Sequence, residues 1–236
     1  MCSIQQNIQQ ITAQIRLLEQ KCGRASNSVQ LLAVSKTKPV EAIAKAIEAG
    51  QRTFGENYVQ EGVDKVNYFS EHYSDSDIEW HFIGPIQSNK TRLIAESFDW
   101  VHSIDRAKIA QRLNDQRPND MPPLQVMIQV NTSGESSKSG TDEQQVFELA
   151  ELINSLPNLT LKGLMSIPAN VSDHQSQLNA FLQLATLKEK LSQQYPDIDM
   201  LSMGMSGDME AAVEAGSTMV RIGTAIFGAR NYGAKG

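Results

Sequence analysis

A lysine follows directly after one of the most apolar stretches of the chain. Lys36 comes immediately after LLAVS (31–35), at the expected carboxyl end of a strand. Because side chains alternate along a strand, Lys36 falls in the same set as Leu32 and Val34 and points where they point. Two interpretations stay open. The lysine either extends into solvent, or it is a desolvated amine whose lowered pKa makes it a nucleophile toward an aldehyde.

An arginine lies inside an apolar stretch near the other end of the chain. Arg221 is part of TMVRIGTAIFG (218–228), which reads as a buried strand and its exit. Arginine is rarely buried without a partner, so this guanidinium needs a hydrogen-bond acceptor in its surroundings. The acceptor is either a carboxylate of the protein or a bound ligand.

Small and polar residues follow two of the predicted strands. Gly223 and Thr224 come after the strand that carries Arg221, and Ser206 and Gly207 precede a helix in SMGMSGDMEAA (202–212). Backbone N–H groups in such loops bind anions. Together with the lysine, they predict a phosphorylated ligand that presents an aldehyde to an amine across the site.

Sequence patterns for other chemistries are missing. The chain has no Gly-x-Gly-x-x-Gly, no P-loop and no His-Glu-x-x-His, and Ser166 and Ser206 lack the Gly-x-Ser-x-Gly context of hydrolases. The four histidines show no metal-ligand spacing. His81 and His102, within or next to apolar strands, are interpreted as core histidines with hydrogen-bond partners rather than as ligands.

The elements that must position these residues alternate along the chain. The N-terminal segment is helical, with Ile4, Ile8 and Ile11 on one apolar stripe and Gly23 after its end. Eight strands are predicted, with helix-like stretches between them. Their ranges are 31–35, 52–57, 79–84, 100–104, 124–131, 161–167, 199–204 and 218–223. This pattern favours a (β/α)₈ barrel over the open doubly wound sheet, in one domain over 1–236.

Composition narrows the class of protein. The 236 residues include 21 Lys and Arg against 27 Asp and Glu, which gives a net charge of -6 and argues against nucleic acid as a partner. No apolar run approaches the length of a membrane helix. The only cysteines are Cys2 and Cys22, which fits a reducing, cytoplasmic setting.

Several segments in order resemble the pyridoxal phosphate homeostasis protein family. They are LLAVSKTKP, FGENYVQE, WHFIGPIQSNK, GLMSI, LSMGMSGDMEAAVEAGSTMVRIGTAIFG and ARNYG, and they extend from about residue 30 to residue 233. The resemblance implies a fold-type III barrel, similar to the N-terminal domain of alanine racemase, and pyridoxal 5'-phosphate (PLP) as cofactor. It implies that Lys36 forms the Schiff base and Arg221 faces the pyridine nitrogen. It also places Ser206, Gly223 and Thr224 at the phosphate and Asn57 beside the cofactor.

The resemblance leaves two functions to weigh. In barrel racemases a C-terminal β domain supplies a tyrosine as second acid/base, whereas here the last strand is followed only by FGARNYGAKG, with Tyr232 in the tail. We therefore expect a PLP-binding homeostasis protein without robust catalysis, a monomer whose partners are PLP, amino acids and PLP-accepting apo enzymes. The alternative is an amino-acid racemase or a related PLP enzyme. A phosphate-binding barrel isomerase is a remoter alternative.

Overall fold

The computed structural model describes residues 3–74, 76–133 and 139–229. Eight strands pair in chain order, every pair parallel, and β8 closes onto β1 to form a barrel. The predicted (β/α)₈ barrel is confirmed. The strands are β1 (Gln30–Val34), β2 (Thr53–Glu56), β3 (Glu79–Phe82), β4 (Trp100–Ile104), β5 (Leu124–Gln129), β6 (Leu159–Met165), β7 (Met200–Ser202) and β8 (Met219–Ile222).

Helices connect successive strands on the outside of the barrel. Within the described ranges they are α1 (Ile4–Lys21), α2 (Val40–Glu48), α3 (Val59–His72), α4 (Thr91–Ser97), α5 (Ala107–Gln116), α6 (Glu143–Asn154), α7 (His174–Gln194), α8 (Met209–Glu214) and α9 (Thr224–Phe227). A 3₁₀ turn, Ser88–Lys90, precedes α4. None of these helices is long and apolar enough to cross a membrane.

The helix boundaries follow from local chemistry. Ser3 and Gln6 form a capping box at the start of α1, and Gly23, with φ of +65°, comes just after its end. Helix α2 begins after Pro39 and ends before Gly50, whose φ is +93°. Ser3 accepts a hydrogen bond from the first turn of α1, and Gly23 and Gly50 allow the left-handed backbone that ends a helix. Sequence alone therefore located both helices.

Two apolar layers form the core. The large one lies between the strands and the surrounding helices and includes Phe54, Phe82 and Phe181, all fully buried. The barrel interior holds two small clusters, one around Leu32 and one around Trp100. Polar side chains are buried in the barrel as well, and those of Ser202, His81 and His102 are fully buried.

Several strands are shorter than predicted at the end where the loops begin. Strand β7 has three residues instead of six, since Gly204 has a φ of +102° and leaves extended geometry. Strand β6 ends at Met165, two residues before the predicted end, and begins at Leu159 rather than 161, because Leu159 pairs with Leu124 of β5. Strand β1 stops at Val34, one residue before the predicted end. The early ends leave more chain for the loops that carry the site.

Candidate functional site

A cavity of about 370 Å³ opens at the carboxyl ends of the strands. This is the end at which barrel proteins build their sites. All six residues singled out from the sequence line it, and we treat their roles toward a cofactor as a prediction. They are Lys36, Asn57, Ser206, Arg221, Gly223 and Thr224. Val34 and Ile83 supply apolar lining.

A buried ion cluster fixes the backbone just before Lys36. Lys65 of α3 donates to the Ser35 carbonyl oxygen at 2.8 Å and to Oε1 of Glu56 at 2.8 Å. The Ser35 hydroxyl donates to the same Glu56 oxygen at 2.6 Å. Burial raises the pKa of the Glu56 carboxyl, and the charge of Lys65 opposes that shift. The residue before Lys36 is therefore held through both its carbonyl and its hydroxyl.

The backbone just after Lys36 is held by the same cluster. The Thr37 N–H donates to Glu61 Oε1 at 2.5 Å, and that oxygen also accepts from Lys65 at 2.6 Å. Thr37 has a φ of +62°, a left-handed conformation that is unfavourable for a β-branched residue. The half-buried Lys36 thus sits between two anchored neighbours, one of which is strained.

The neighbouring lysine has a different environment. Lys38 Nζ donates to the carbonyl oxygens of Gly228 and Ala229, both at 2.9 Å, and lies 3.3 Å from that of Phe227. It thereby ties the loop after β1 to the end of α9. Lys38 is not among the residues that line the cavity, which distinguishes it from Lys36.

Arg221 projects from β8 and is 5% exposed. Nη1 donates to the Ser202 carbonyl oxygen at 2.6 Å and to the Ser202 hydroxyl at 2.9 Å, and Nη2 donates to the Ser166 carbonyl oxygen at 2.9 Å. No carboxylate among the described residues accepts a hydrogen bond from it. The carboxylate partner considered at the sequence level is therefore absent from this part of the chain.

Arg221 keeps its proton in this setting. Burial lowers the pKa of its guanidinium to about 10, with a small opposing effect of Asp208, so the side chain stays charged at neutral pH. A guanidinium has five N–H donors and no acceptor. Three of the five make the bonds to Ser202 and Ser166, so two have no acceptor among the described residues and remain for a ligand at the cavity wall.

The loops after β7 and β8 present backbone donors to the same cavity. The N–H groups of Ser206, Gly207, Gly223 and Thr224 donate to no acceptor within the described ranges. The side chains of Ser206 and Thr224 are exposed, so their hydroxyls are also accessible. This arrangement suits an anion, since two loops bring such donors to one cavity and no acidic residue is among those that line it.

Asn57 forms the wall opposite these loops. A Cβ atom on Gly84 would lie 2.1 Å from the Asn57 carbonyl oxygen, so only glycine permits this close approach of the chain after β3. Asn57 Oδ1 and Ser166 Oγ are buried and make no hydrogen bond to the described residues. Buried polar groups without partners are rare, and that of Asn57, which lines the cavity, is suited to a polar ligand.

Sequence reasoning missed part of this site. It did not identify the cluster of Ser35, Glu56 and Lys65, although Glu61 and Lys65 stand four residues apart on a helix, the spacing of an ion pair. Ser202 and Ser166 carried no signal, because a serine inside a strand looks like any other small residue. Tyr232 lies outside the described residues.

The two core histidines are fully buried, as expected. His81 Nδ1 lies 2.9 Å from His102 Nε2, and His102 Nδ1 lies 2.8 Å from the Ser202 hydroxyl. His81 Nε2 makes no hydrogen bond, since the nearest carboxylate oxygen, Glu79 Oε2, is 3.7 Å away. They connect to Arg221 through Ser202, a link that the sequence did not suggest.

Comparison with known proteins places the chain in a family. The model of the alanine racemase N-terminal domain matches residues 6–231. A pyridoxal phosphate homeostasis protein of Vibrio alginolyticus is 76% identical over 232 residues, which cover 98% of this chain and 100% of the relative.

Solved structures show the same similarity. PipY of Synechococcus elongatus PCC7942, whose structure has PLP bound, is 34% identical with a TM-score of 0.82, and the match covers 96% of this chain and all of that one. Alanine racemase of Corynebacterium glutamicum, at 18% identity and a TM-score of 0.65, shares the fold over 95% of this chain and 62% of its own. The chain belongs to the alanine racemase N-terminal domain family and, within it, to the pyridoxal phosphate homeostasis proteins.

Proposed function

We propose that this protein binds PLP as a Schiff base on Lys36 and takes part in PLP homeostasis, without robust catalytic activity. The observation that carries the proposal is the single cavity that brings together Lys36, Arg221 and the donors of two loops. In this arrangement Arg221 donates to the pyridine nitrogen. Ser206, Gly223 and Thr224 hold the phosphate, and Asn57 contacts the ring. The names of the relatives support the same cofactor.

The residues present fit PLP group by group. The cavity volume of about 370 Å³ lies in the range of ligand pockets. The four backbone N–H groups match a phosphate, and one of the two remaining donors of Arg221 matches the lone pair of the ring nitrogen. Asn57 Oδ1, which lacks a partner in the described chain, belongs to a residue of the cavity lining and is available to a polar substituent of the ring. Bound PLP supplies an aldehyde for reversible imine formation and a ring that withdraws electrons.

We attribute the proposed weak catalysis to the partner of the ring nitrogen. An arginine with a pKa of about 10 donates a hydrogen bond at neutral pH but does not hand its proton to a pyridine. An unprotonated pyridine is a poorer electron sink, which disfavours carbanion chemistry on a bound amino acid. Retention and release of the cofactor need only the amine, the phosphate donors and Arg221.

An amino-acid racemase is the second candidate, favoured by the shared barrel of the alanine racemases. Similarity argues for the first candidate, because the chain is 76% identical to the homeostasis protein of Vibrio alginolyticus but 18% identical to the racemase of Corynebacterium glutamicum. We propose further that the protein acts in the cytoplasm as a monomer of one domain, and that it exchanges PLP with apo enzymes and forms adducts with amino acids.

Two measurements on the same preparation separate the candidates. The first follows exchange of the α-hydrogen for deuterium in heavy water, by NMR, over a panel of amino acids, because exchange reports carbanion formation even when no racemic product accumulates. The second follows activation of a PLP-dependent apo enzyme by the loaded protein. We expect little exchange and efficient transfer. Rapid exchange on one amino acid, lost in Lys36→Ala, would establish the enzyme instead.

A further inference from the structure

A chain of polar side chains crosses the barrel interior behind Arg221. From the cofactor cavity, Arg221 donates to Ser202 Oγ, which lies 2.8 Å from His102 Nδ1, and His102 Nε2 lies 2.9 Å from His81 Nδ1. His81 Nε2 lies 3.7 Å from Glu79 Oε2. Glu79 is the first residue of β3, so the chain connects the carboxyl ends of the strands with their amino ends.

The far end of this chain is open to solvent. The Glu79 side chain is about half exposed, whereas Ser202, His102 and His81 are fully buried. Glu79 lines a cavity of about 410 Å³ at the amino ends of the strands. The chain thus has a positive guanidinium at one end and a carboxylate at the other. Between them lie the side chains of Ser202, His102 and His81.

Hydrogen-bond chemistry gives the chain one direction. Arg221 can only donate, so the Ser202 oxygen accepts and its own hydrogen is directed to His102 Nδ1. A neutral imidazole has one donor and one acceptor, so His102 donates from Nε2 to His81 Nδ1. The remaining hydrogen of His81 is then on Nε2 and faces the Glu79 carboxylate. The reverse set of tautomers would leave a lone pair facing that carboxylate and the Ser202 hydrogen without an acceptor among the described residues.

Burial keeps both imidazoles uncharged. It lowers the pKa of His102 well below its usual value, and the neighbouring His81 and Arg221 add to that shift. Burial also lowers the pKa of His81, although Glu79 and Asp99 oppose the shift. The donors of Ser202, His102 and His81 consequently point away from the cofactor cavity, and these three side chains offer it no acidic proton.

We infer that Ser202, His102 and His81 are positioning residues, which orient Arg221 toward the pyridine nitrogen and withhold from the ring any proton of the barrel interior. The role rests on the proposed function, because it concerns the group that faces the cofactor. It explains why a serine and two histidines occupy a barrel interior that apolar side chains would otherwise fill.

The first test needs no cofactor. Protein labelled with ¹⁵N-histidine and freed of PLP is followed by NMR between pH 6 and pH 8. We expect His81 and His102 to be neutral with the hydrogen on Nε2, and the exposed His72 serves as internal reference. A hydrogen on Nδ1 of His102, or an imidazolium signal from either residue in this range, would overturn the inference.

The second test follows the absorption of bound PLP in Ser202→Ala and Ser202→Thr. We expect the alanine variant to shift the pH midpoint of the PLP absorption band by about 0.5 unit or more, and the threonine variant, which keeps the hydroxyl, to restore it. His72→Gln is the control. If both Ser202 variants lost thermal stability equally and the pH midpoint of the PLP band stayed unchanged, Ser202 would have a structural role only. Failure of the wild-type protein to bind PLP would reject the proposed function. The NMR result would still decide the direction of the hydrogen bonds in the chain.

Discussion

The two walls of the cofactor cavity are built in different ways. Lys36 lies on a loop whose neighbours are held by the charged side chains of Glu56, Glu61 and Lys65 and by a strained backbone at Thr37. Arg221 lies within a strand and is held by two backbone carbonyl oxygens and the Ser202 hydroxyl. The barrel strands thus fix the position of Arg221, whereas charged side chains fix the backbone on both sides of Lys36. We expect the lysine wall to be the one that yields when PLP is released.

Removal of Lys65 should have the largest effect on the lysine wall. Lys65→Met leaves the buried Glu56 carboxylate without its cation, and breaking a buried ion pair in this way costs about 3 to 5 kcal/mol. Chemical denaturation measures the loss, and PLP affinity should fall with it. Lys190→Met removes a lysine from an exposed pair with Glu143 and should change stability far less. Equal effects of the two substitutions would mean that the cluster does not hold the loop.

The phosphate loops should show the next largest effect. Ser206→Ala should weaken PLP retention by about 1 to 3 kcal/mol, through the loss of a hydrogen bond to a charged group. Gly223→Val should act similarly, because a Cβ atom there would lie 3.1 Å from the Val34 carbonyl oxygen. Equilibrium dialysis with PLP and with pyridoxal gives both affinities. Removal of the phosphate from the ligand should cost more than either substitution, and equal affinity for the two ligands would contradict an anion site.

The buried histidines should make stability depend on pH. Their pKa values are lower in the folded chain than the ordinary value of 6.5, so the unfolded chain binds more protons below that pH. The free energy of unfolding should be full above pH 6.5 and fall below it, by about 1.4 kcal/mol per pH unit for each histidine. Denaturation of the wild type and of His102→Phe over this range measures the share of His102. An unchanged slope in the variant would show that folding does not lower the pKa of His102.

Relief of the strain at Thr37 should give the smallest effect. Thr37→Gly removes the steric cost of a left-handed conformation but adds disorder to the unfolded chain, for a net gain of about 0.5 kcal/mol. Asn27→Gly, at a φ of 65°, is the matched control and should gain less, since asparagine tolerates this conformation. A loss of stability in Thr37→Gly would show that the threonine side chain, rather than the Glu61 bond to its backbone, fixes the loop.

The sequence could predict the features that have a local signal, but not those that depend on contacts between distant elements. Periodicity and punctuation around Pro39 and Gly50 locate helix α2, and the apolar runs locate all eight strands, because these signals are local. Lys36 and Arg221 stand out since a charge beside apolar residues needs a reason. The roles of Glu56 and Lys65 depend on a contact between two elements that no local pattern encodes. The polar chain behind Arg221 joins residues up to 100 positions apart, as between His102 and Ser202.

The central claim is that Lys36, and not another lysine, carries the cofactor. Borohydride reduction of the PLP-loaded protein adds hydride to the imine carbon and a proton to its nitrogen, so the linkage becomes permanent and peptide mass mapping locates it. The account predicts a yellow protein that loses its visible band on reduction and carries one modified lysine, Lys36. A label on Lys38, whose amine faces the carbonyl oxygens at the end of α9, or a colourless protein that takes up no PLP, would contradict it.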